Sequence, residues 1–239
     1  MSESSKEVVE IRPASTEEDW KAVKAIAVSG ITGQSKNLSQ QIFWHPIYLA
    51  AFGFVFLGVY RMTKMAEGNT ILRTVLLGVF VSAFFLTIME IPCRNLFSSI
   101  ADEMTEDTGN LRDENLKHFY LAYVNKDRLI GIIGILPPNA VGAYNNTPTI
   151  VHWNVIPKFY KFAYDLLDVA LNSAKKMKQN KVSAESFTTD KWILQSLKSD
   201  GFEPVVDEAF DYLSFFGLRH VILQTSLKDR PKGDRKLRN

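Results

Sequence analysis

Residues 154–171 read NVIPKFYKFAYDLLDVAL, and this stretch contains the strand-to-helix change on which the fold interpretation depends. The tripeptide VIP at 155–157 is typical of a strand that ends at a proline. Apolar residues then recur at intervals of three and four, which predicts a helix that continues to about Gln179. Many nucleotide-using folds hold a phosphate at such a turn. Here, however, the stretch contains no glycine.

Two apolar segments lie upstream of this stretch. Ile42–Tyr60 is uncharged except for the titratable His45, and Thr74–Met89 is also uncharged. At about 1.5 Å per helical residue, each segment crosses most of a hydrocarbon core of about 30 Å. Aromatic residues at the ends are typical of interfacial belts. The sequence therefore predicts a transmembrane helical hairpin over residues 42–91, and the alternative is a pair of buried core helices in a soluble protein.

The segments outside the hairpin predict one split domain. Residues 1–41 contain a strand at Val8–Arg12 and a helix that begins with an N-terminal capping signal at Ser15–Glu18. One strand and one helix cannot form a core alone, so we expect them to pack with residues 92–226. The last segment, 227–239, is a basic C-terminal tail that is typical of a solvated end or of a patch for anionic headgroups.

Residues 92–226 predict the remainder of this domain. A polar helix after Arg94 is followed by an antiparallel hairpin with its turn at residues 125–127. The strand of the opening stretch, its helix, another strand and a helix closed by Gly201 come next. Residues 202–227 predict terminal strands. The fold class is therefore mixed α/β (α+β) with a largely antiparallel central sheet, interrupted by the hairpin.

Composition restricts the classes of function. Lysines and arginines number 28 against 26 acidic residues, so no global field favours nucleic acid. Cys93 is the only cysteine, and the four histidines are scattered without ligand spacing, so we expect no metal site. The scarcity of cysteine favours a reducing compartment and cytosolic termini.

Three short motifs and their order resemble the GNAT superfamily of acetyl-CoA-dependent N-acetyltransferases. They are IRPAS at the start, LIGIIGILPP in the middle and SDGFEP near the end. The apolar hairpin after the first helix makes the chain similar to the membrane-anchored camello group, which includes N-acetylaspartate synthase. The resemblance covers residues 8 to 225 and implies a GNAT-like fold in the endoplasmic reticulum membrane.

The resemblance also implies a place for acetyl-CoA at the turn after Pro157. The matching positions are Ile156, Lys158, Tyr160, Lys161, Ala163 and Asp165. Three of them depart from the Q/R-x-x-G-x-G/A pattern: Tyr160 replaces an amide or a base, Ala163 replaces glycine, and Asp165 replaces a small residue. Because a carboxylate at the helix start repels a pyrophosphate, Asp165 is the most telling departure. Lys158 and Lys161 offset part of that charge.

The catalytic residues remain unassigned at this stage. The family often places a tyrosine four residues before the late glycine as general acid, but Leu197 occupies that position here. Tyr164 and Tyr212 are conceivable substitutes. Glu185 and His152 are conceivable general bases.

Two functions are consistent with these residues. The first is a GNAT-like domain that has lost catalysis and cofactor, and acts as a scaffold or chaperone for a polytopic membrane protein such as a transporter. The alternative is an active, acetyl-CoA-dependent N-acetyltransferase that acts on a small amine or a lysine. In both cases the bilayer is a partner, and we expect an endoplasmic reticulum protein with several membrane passes.

Overall fold

The computed structural model describes residues 8–64, 70–106 and 109–228. Its strands are β1 Val9–Pro13, β2 Phe119–Val124, β3 Arg128–Leu136, β4 Thr149–Val155, β5 Lys181–Phe187, β6 Glu203–Ala209 and β7 Arg219–Ser226. Its helices are α1 Glu17–Phe43, α2 Pro46–Lys64, α3 Thr70–Thr105, α4 Asp113–Leu116, α5 Ala163–Lys176 and α6 Lys191–Ser199. Short 3-10 segments cover Tyr144–Asn146, Pro157–Phe162 and Asp211–Phe216.

The strands form one seven-stranded sheet in the order β1-β2-β3-β4-β5-β7-β6. Every neighbouring pair is antiparallel except β4 and β5, which are parallel. The predicted mixed α/β class with a largely antiparallel sheet is therefore confirmed. Because β1 pairs with β2, the segment before the apolar helices and the segment after them share this sheet.

Local signals read from the sequence account for two of these elements. Helix α1 begins with a capping box, in which Thr16 accepts from the Asp19 backbone and the Asp19 side chain accepts from the Thr16 backbone. The β2–β3 hairpin turns at Asn125 and Lys126, which have φ of 53° and 69°. The loop spans residues 125–127, and positive φ values are typical of short hairpin connections. Both predictions are confirmed.

The sheet is covered on both faces. Strand β3 shows why, because the adjacent residues Ile132 and Ile133 point to opposite sides and are both fully buried. Ile133 packs in the cluster that contains the apolar face of α5, including Leu167. Ile132 packs in the cluster that contains α1 through Val23 and Ala27. Helix α5 therefore covers one face of the sheet and α1 covers the other.

Helix α3 is much longer than the predicted membrane segment. It continues without interruption past Pro92 to Thr105, so the polar helix predicted after Arg94 is the second half of α3. This half packs on α1, where Phe97 and Ala101 join Leu38 in a third buried cluster. The prediction of a separate helix was wrong because apolar positions facing α1 extend the helix beyond the charged residues.

Helices α2 and α3 pack together as an antiparallel pair. The Tyr48 hydroxyl donates to the Phe85 carbonyl at 2.7 Å, and the Phe52 and Phe85 rings lie 5.5 Å apart. Most other apolar side chains of the pair point outward, for example Phe54 with 78% of its surface exposed and Phe80 with 69%. The two predicted helices therefore pair and expose an apolar surface, while their placement across a membrane remains a prediction.

One segment of the described residues, Thr74–Thr105, is long and apolar enough by itself to cross a membrane. Only 6% of its most apolar window is buried by the protein. Helix α2 passes the same criterion only together with α1, across a bend of 67° near Trp44. A second membrane pass, which the sequence predicts over Ile42–Tyr60, remains a prediction.

Two predicted boundaries were wrong. The helix of the opening stretch begins at Ala163 and not at the proline, because residues 157–162 form a 3-10 turn in which Phe159 has a non-helical φ of −114°. Residues 211–216 form another 3-10 turn within the segment predicted as terminal strands. The basic tail lies outside the described residues except for its first two positions.

Candidate functional site

The sheet opens between β4 and β5. These strands pair only at Thr149 with Ser183 and at Ile150 with Ala184, although both continue further. At the point of divergence β4 contains a bulge, in which His152 and Trp153 together oppose one residue of β3. His152 has a left-handed φ of 49°, which is uncommon for a residue with a side chain. The bulge redirects β4 and leaves a cleft.

A cavity of about 650 Å³ occupies this cleft. Helix α1 forms its roof, where the Asn154 side chain donates to the Ile26 carbonyl at 3.0 Å. The helix comes so close that a Cβ on Gly30 would lie 2.2 Å from the Asn154 amide nitrogen. A volume of several hundred Å³ is typical of small-molecule sites. The fold thus retains room for a ligand beside β4.

The charge of the cavity is acidic. Glu185 and Asp190 contribute carboxylates, and the described lining residues include no lysine or arginine. Asp190 caps α6 by accepting from the Ile193 backbone at 3.2 Å, and it accepts from Gln34 of α1 at 2.8 Å. Burial raises the pKa of Asp190. Among the described lining residues, a ligand with several phosphate groups would therefore find no lysine or arginine.

Both candidate general bases line the cavity, but each already has a hydrogen-bonding partner. His152 Nε2 lies 2.7 Å from Asn110 Oδ1, and removal of water by the surrounding protein lowers the pKa of His152 to about 4. Glu185 Oε1 lies 2.8 Å from His220 Nε2, and this hydrogen bond raises the pKa of His220. His152 therefore favours the neutral form, whereas His220 favours the protonated form.

The structure divides the six positions matched to the acetyl-CoA turn into three groups. Ile156 and Tyr160 line the cavity. Ala163 is fully buried against the core, and its backbone N–H donates to the Tyr160 carbonyl. The remaining three positions, Lys158, Lys161 and Asp165, are exposed. The two lysine ammonium groups lie over the rings of their neighbours, at 5.8 Å for Lys158 with Phe159 and 4.7 Å for Lys161 with Phe162.

Asp165 stands in the first turn of α5, as the sequence predicts. A carboxylate there interacts favourably with the partial positive charge of the helix start. The same charge is what a bound pyrophosphate would use. Because the α-helix starts only at Ala163, the 3-10 turn before it engages backbone N–H groups, including that of Phe159, which donates to Ile156 at 2.8 Å. Binding of acetyl-CoA at these positions remains an untested prediction.

A cluster of four aromatic rings joins β4, the turn and α6. Tyr160 stacks on Trp192 with centroids 4.2 Å apart and planes 8° from parallel. Trp153 contacts Trp192 at 5.2 Å and Tyr164 at 6.2 Å. We call Trp153, Tyr160, Tyr164 and Trp192 the four-ring cluster. It ties the turn to α6 along one side of the cleft.

At the position of the family's general acid, Leu197 of α6 is buried and packs among apolar residues. Tyr164 belongs to the four-ring cluster, which gives it a packing role. The side chain of Tyr212 lies outside the described part of the chain. The structure therefore brings Glu185 and His152 to one cavity, but it places none of the described acid candidates beside them.

Sequence reasoning missed Trp192, Gln34 and Asn110, which contact Tyr160, Asp190 and His152 respectively. Each of these partners comes from a different element, at 32 to 156 positions along the chain. No local motif marks such pairs. The signal that could have found them is pairwise covariation between positions, which a single sequence does not contain.

The chain is similar in sequence to known proteins. A sequence profile of the family described as inorganic phosphate transporter chaperone Pho86 matches residues 25–227. A Schizosaccharomyces pombe protein described as uncharacterized is 59% identical over 210 residues, which are 88% of this chain and 89% of that protein.

Solved structures of acetyltransferases are also similar. A probable acetyltransferase from Staphylococcus epidermidis is 11% identical, with a TM-score of 0.45 and coverage of 92% of this chain and 99% of that one. Nourseothricin acetyltransferase is 14% identical with a TM-score of 0.40 over 46% of this chain, and the match spans 64% of its own length, less than two thirds.

Proposed function

Because the chain belongs to the family of the inorganic phosphate transporter chaperone Pho86, we propose that it is a membrane-anchored chaperone for a phosphate transporter. The observation that carries this proposal is the extent of the family match, which runs over residues 25–227. That range includes most of α1, the α2–α3 hairpin and the sheet from β2 to β7. The shared feature is therefore the combination of hairpin and soluble domain.

The outer surface of the α2–α3 hairpin supports a membrane location. Its exposed side chains are mainly large and apolar, as Phe54, Leu57 and Phe80 illustrate. Soluble proteins rarely expose such a continuous apolar surface, whereas a bilayer solvates it. The same surface is available to the transmembrane helices of a client, since packing between helices in lipid depends on close contact.

We place the protein in the endoplasmic reticulum membrane with two passes and both termini in the cytosol. Polytopic transporters are inserted at that membrane, so a chaperone for them works there. A scan with engineered N-glycosylation sites in residues 65–69 tests the orientation. Modification at these positions requires a lumenal loop, and its absence together with modification near the N-terminus would reverse the orientation.

The soluble domain acts in this proposal as a GNAT-like scaffold without catalysis. Three observations support this role: the cavity lining contains two carboxylates and, within the described residues, no cation; Asp165 stands at the helix start; and Leu197 replaces the expected acid. The four-ring cluster fixes the turn by stacking. These features favour a domain that holds its shape over one that exchanges a cofactor.

The chaperone activity is tested with a phosphate transporter synthesised into microsomes that contain or lack this protein. We expect more of the transporter as monomer by native electrophoresis when the protein is present. Phe54→Ser on the hairpin should reduce this effect, whereas Val205→Ser on the edge strand β6 is the matched exposed control. An unrelated polytopic protein tests specificity. Equal monomer fractions in all membranes would contradict the proposal.

A second candidate function, acetyl-CoA-dependent N-acetyltransfer, is favoured by one observation, the open cavity with Glu185 and His152 on its wall. Calorimetric titration of the purified protein with acetyl-CoA discriminates the two functions. Micromolar binding that weakens in Lys158→Ala or Lys161→Ala would support the enzyme. If no binding is measured at millimolar acetyl-CoA, Asp165→Gly tests the cause, because restored affinity would identify that carboxylate as the obstacle.

A further inference from the structure

A 3-10 turn of the soluble domain packs at the point where the chain bends into the hairpin. Residues Asp211–Phe216 form this turn between β6 and β7. Leu213 points inward and is buried in the same cluster as Ile42 at the end of α1. Phe215, two positions later, points outward and exposes 59% of its surface. Leu213 therefore anchors the turn to the protein, while Phe215 is exposed on its outer side.

The outward side of the turn meets aromatic residues of the bend. The Phe215 ring lies 5.2 Å from the His45 ring, and the Phe216 ring lies 5.4 Å from it. Trp44, next to His45, exposes 70% of its surface. We call Trp44, His45, Phe215 and Phe216 the ring patch. Two segments separated by about 170 positions thus meet through the His45 ring, with Trp44 exposed beside it.

The position of the turn is fixed by tight packing. Gly217, which ends the turn, has a φ of 89°. A Cβ at this position would lie 2.4 Å from the side-chain nitrogen of Gln41 on α1. The Thr188 hydroxyl donates to the Gly217 carbonyl at 2.6 Å and accepts from the Arg219 backbone at 2.8 Å. The turn therefore sits against α1 in one defined place.

The level of the ring patch along the hairpin follows from the α2–α3 pairing. The hydrogen bond from Tyr48 to the Phe85 carbonyl sets the two antiparallel helices in register. Three residues back from Tyr48 is His45, and about one turn forward from Phe85 is Met89, after which Glu90 is the first charged residue. The ring patch therefore lies level with the end of the apolar segment of α3.

We propose that the ring patch inserts into the headgroup and acyl-chain boundary of the phospholipid bilayer, so that the turn at 211–216 is a second membrane contact. Exposed tryptophan and phenylalanine side chains at the end of an apolar hairpin have the chemistry of an interfacial anchor. The contact fixes the tilt of the sheet against the membrane. It rests on the membrane anchoring in the proposed function, because the hairpin brings the patch to the bilayer.

Site-specific quenching in pure lipid vesicles tests this contact. The full-length protein with Cys93→Ala receives one cysteine at a time, as Phe215→Cys, Trp44→Cys or Val205→Cys, each labelled with a nitrobenzoxadiazole dye. Val205 is 48% exposed on β6 and is the matched control. Vesicles contain phosphatidylcholine with a doxyl group near the headgroup. We expect quenching at 215 and 44 to exceed that at 205 by at least threefold.

Each result decides a different point. Quenching at 44 without quenching at 215 would overturn the second contact while the hairpin anchoring stands, and would leave Phe215 for a protein partner. Quenching at none of the three positions would overturn both the contact and the anchoring. Because labelling could disturb folding, Phe215→Trp and Val205→Trp with brominated lipid in the native cysteine background provide a second measurement, and the same ordering is expected.

Discussion

The α2–α3 hairpin and the β4–β5 cleft use aromatic side chains in opposite ways. On the hairpin, rings such as Phe54 and Phe80 point away from the protein. Along the cleft, the Tyr160 and Trp192 rings stack on each other, and both side chains are half-buried. The hairpin therefore exposes apolar surface to its surroundings, whereas the rings of the cleft cover one another.

This difference indicates which region interacts with a partner. Rings that are already stacked have little to gain from a ligand, whereas exposed rings lower their free energy when lipid or another helix covers them. The cluster between α1 and α3 connects the two regions, since α1 forms the roof of the cleft and then continues to the bend at Trp44. Substitutions in the hairpin, in the cleft or in the cluster between α1 and α3 test this difference.

The largest effect is expected at the connection. Phe97 of α3 is fully buried, and its ring lies 5.9 Å from that of Phe187 on β5. We expect Phe97→Ala to lower the free energy of unfolding by about 4 kcal/mol, because a cavity remains where the ring was. Thermal unfolding of the detergent-purified protein measures it.

The matched control for this change is Phe54→Ala on the hairpin. Phe54 is exposed, so the free energy of unfolding should change by less than about 0.5 kcal/mol. If both variants lost the same free energy of unfolding, the hairpin surface around Phe54 would be as important for stability as the buried cluster between α1 and α3.

The next effect concerns the start of α1. Asp19 is buried, accepts from Arg12 at 2.6 Å and completes the capping box. Asp19→Asn should lower the free energy of unfolding by about 2 kcal/mol at pH 7, from the lost cap and ion pair. Glu17→Gln, which changes an exposed pair with Lys21, is the control and should have little effect.

This change also alters the dependence on pH. The hydrogen bonds from Arg12 hold the pKa of Asp19 well below its usual range. A depressed carboxyl pKa stabilises the fold above the unfolded value of about 3.9 and loses that contribution as pH falls further. Asp19→Asn should therefore be less sensitive to acid than the wild type below about pH 4. A parallel acid loss in both proteins would show that another carboxyl group is responsible.

A smaller effect compares ring pairs in the two regions. A double-mutant cycle on Tyr160 and Trp192 should give a coupling energy of about 1 kcal/mol, as expected for a close stacked pair. The cycle on Phe52 and Phe56 of α2, whose centroids lie 6.3 Å apart, should give less in detergent. A larger coupling energy for Phe52 and Phe56 than for Tyr160 and Trp192 would contradict the view that the cleft rings stabilise each other.

The sequence predicted those features that depend on local patterns. The capping box at Thr16, the turn at Asn125 and the apolar face of α5 follow from residues close together in the chain. The 3-10 turn before Ala163 and the extension of α3 past Arg94 were missed, because their stability comes from packing with distant elements. The propensity of a segment does not reveal such partners.

For the candidate site, the sequence predicted positions but not partners. Asp165 does stand at a helix start and Tyr160 does reach the cleft, because strand-to-helix order alone determines those places. The stack of Tyr160 on Trp192 and the pairing of Glu185 with His220 depend on how four elements meet in space. These contacts therefore could not be predicted from the sequence alone.

The smallest effect concerns two histidines with opposite behaviour. The lowered pKa of His152, about 4, lies below the unfolded value of about 6.5. Between these values the unfolded chain binds a proton that the folded protein does not, so His152 makes stability fall as pH falls. The pKa of His220 is raised by its hydrogen bond to Glu185, so His220 stabilises the fold below pH 6.5 and loses this contribution as pH rises through the raised value.

We therefore expect opposite changes of pH slope in His152→Asn and His220→Asn. The first should remove part of the destabilisation between pH 6.5 and pH 4, by about 1 kcal/mol, and the second should weaken the fold mainly at acidic pH. Melting temperatures between pH 4.5 and pH 8 measure both. If the two variants shift the slope in the same direction, the fold does not hold one neutral and one protonated histidine beside the cleft.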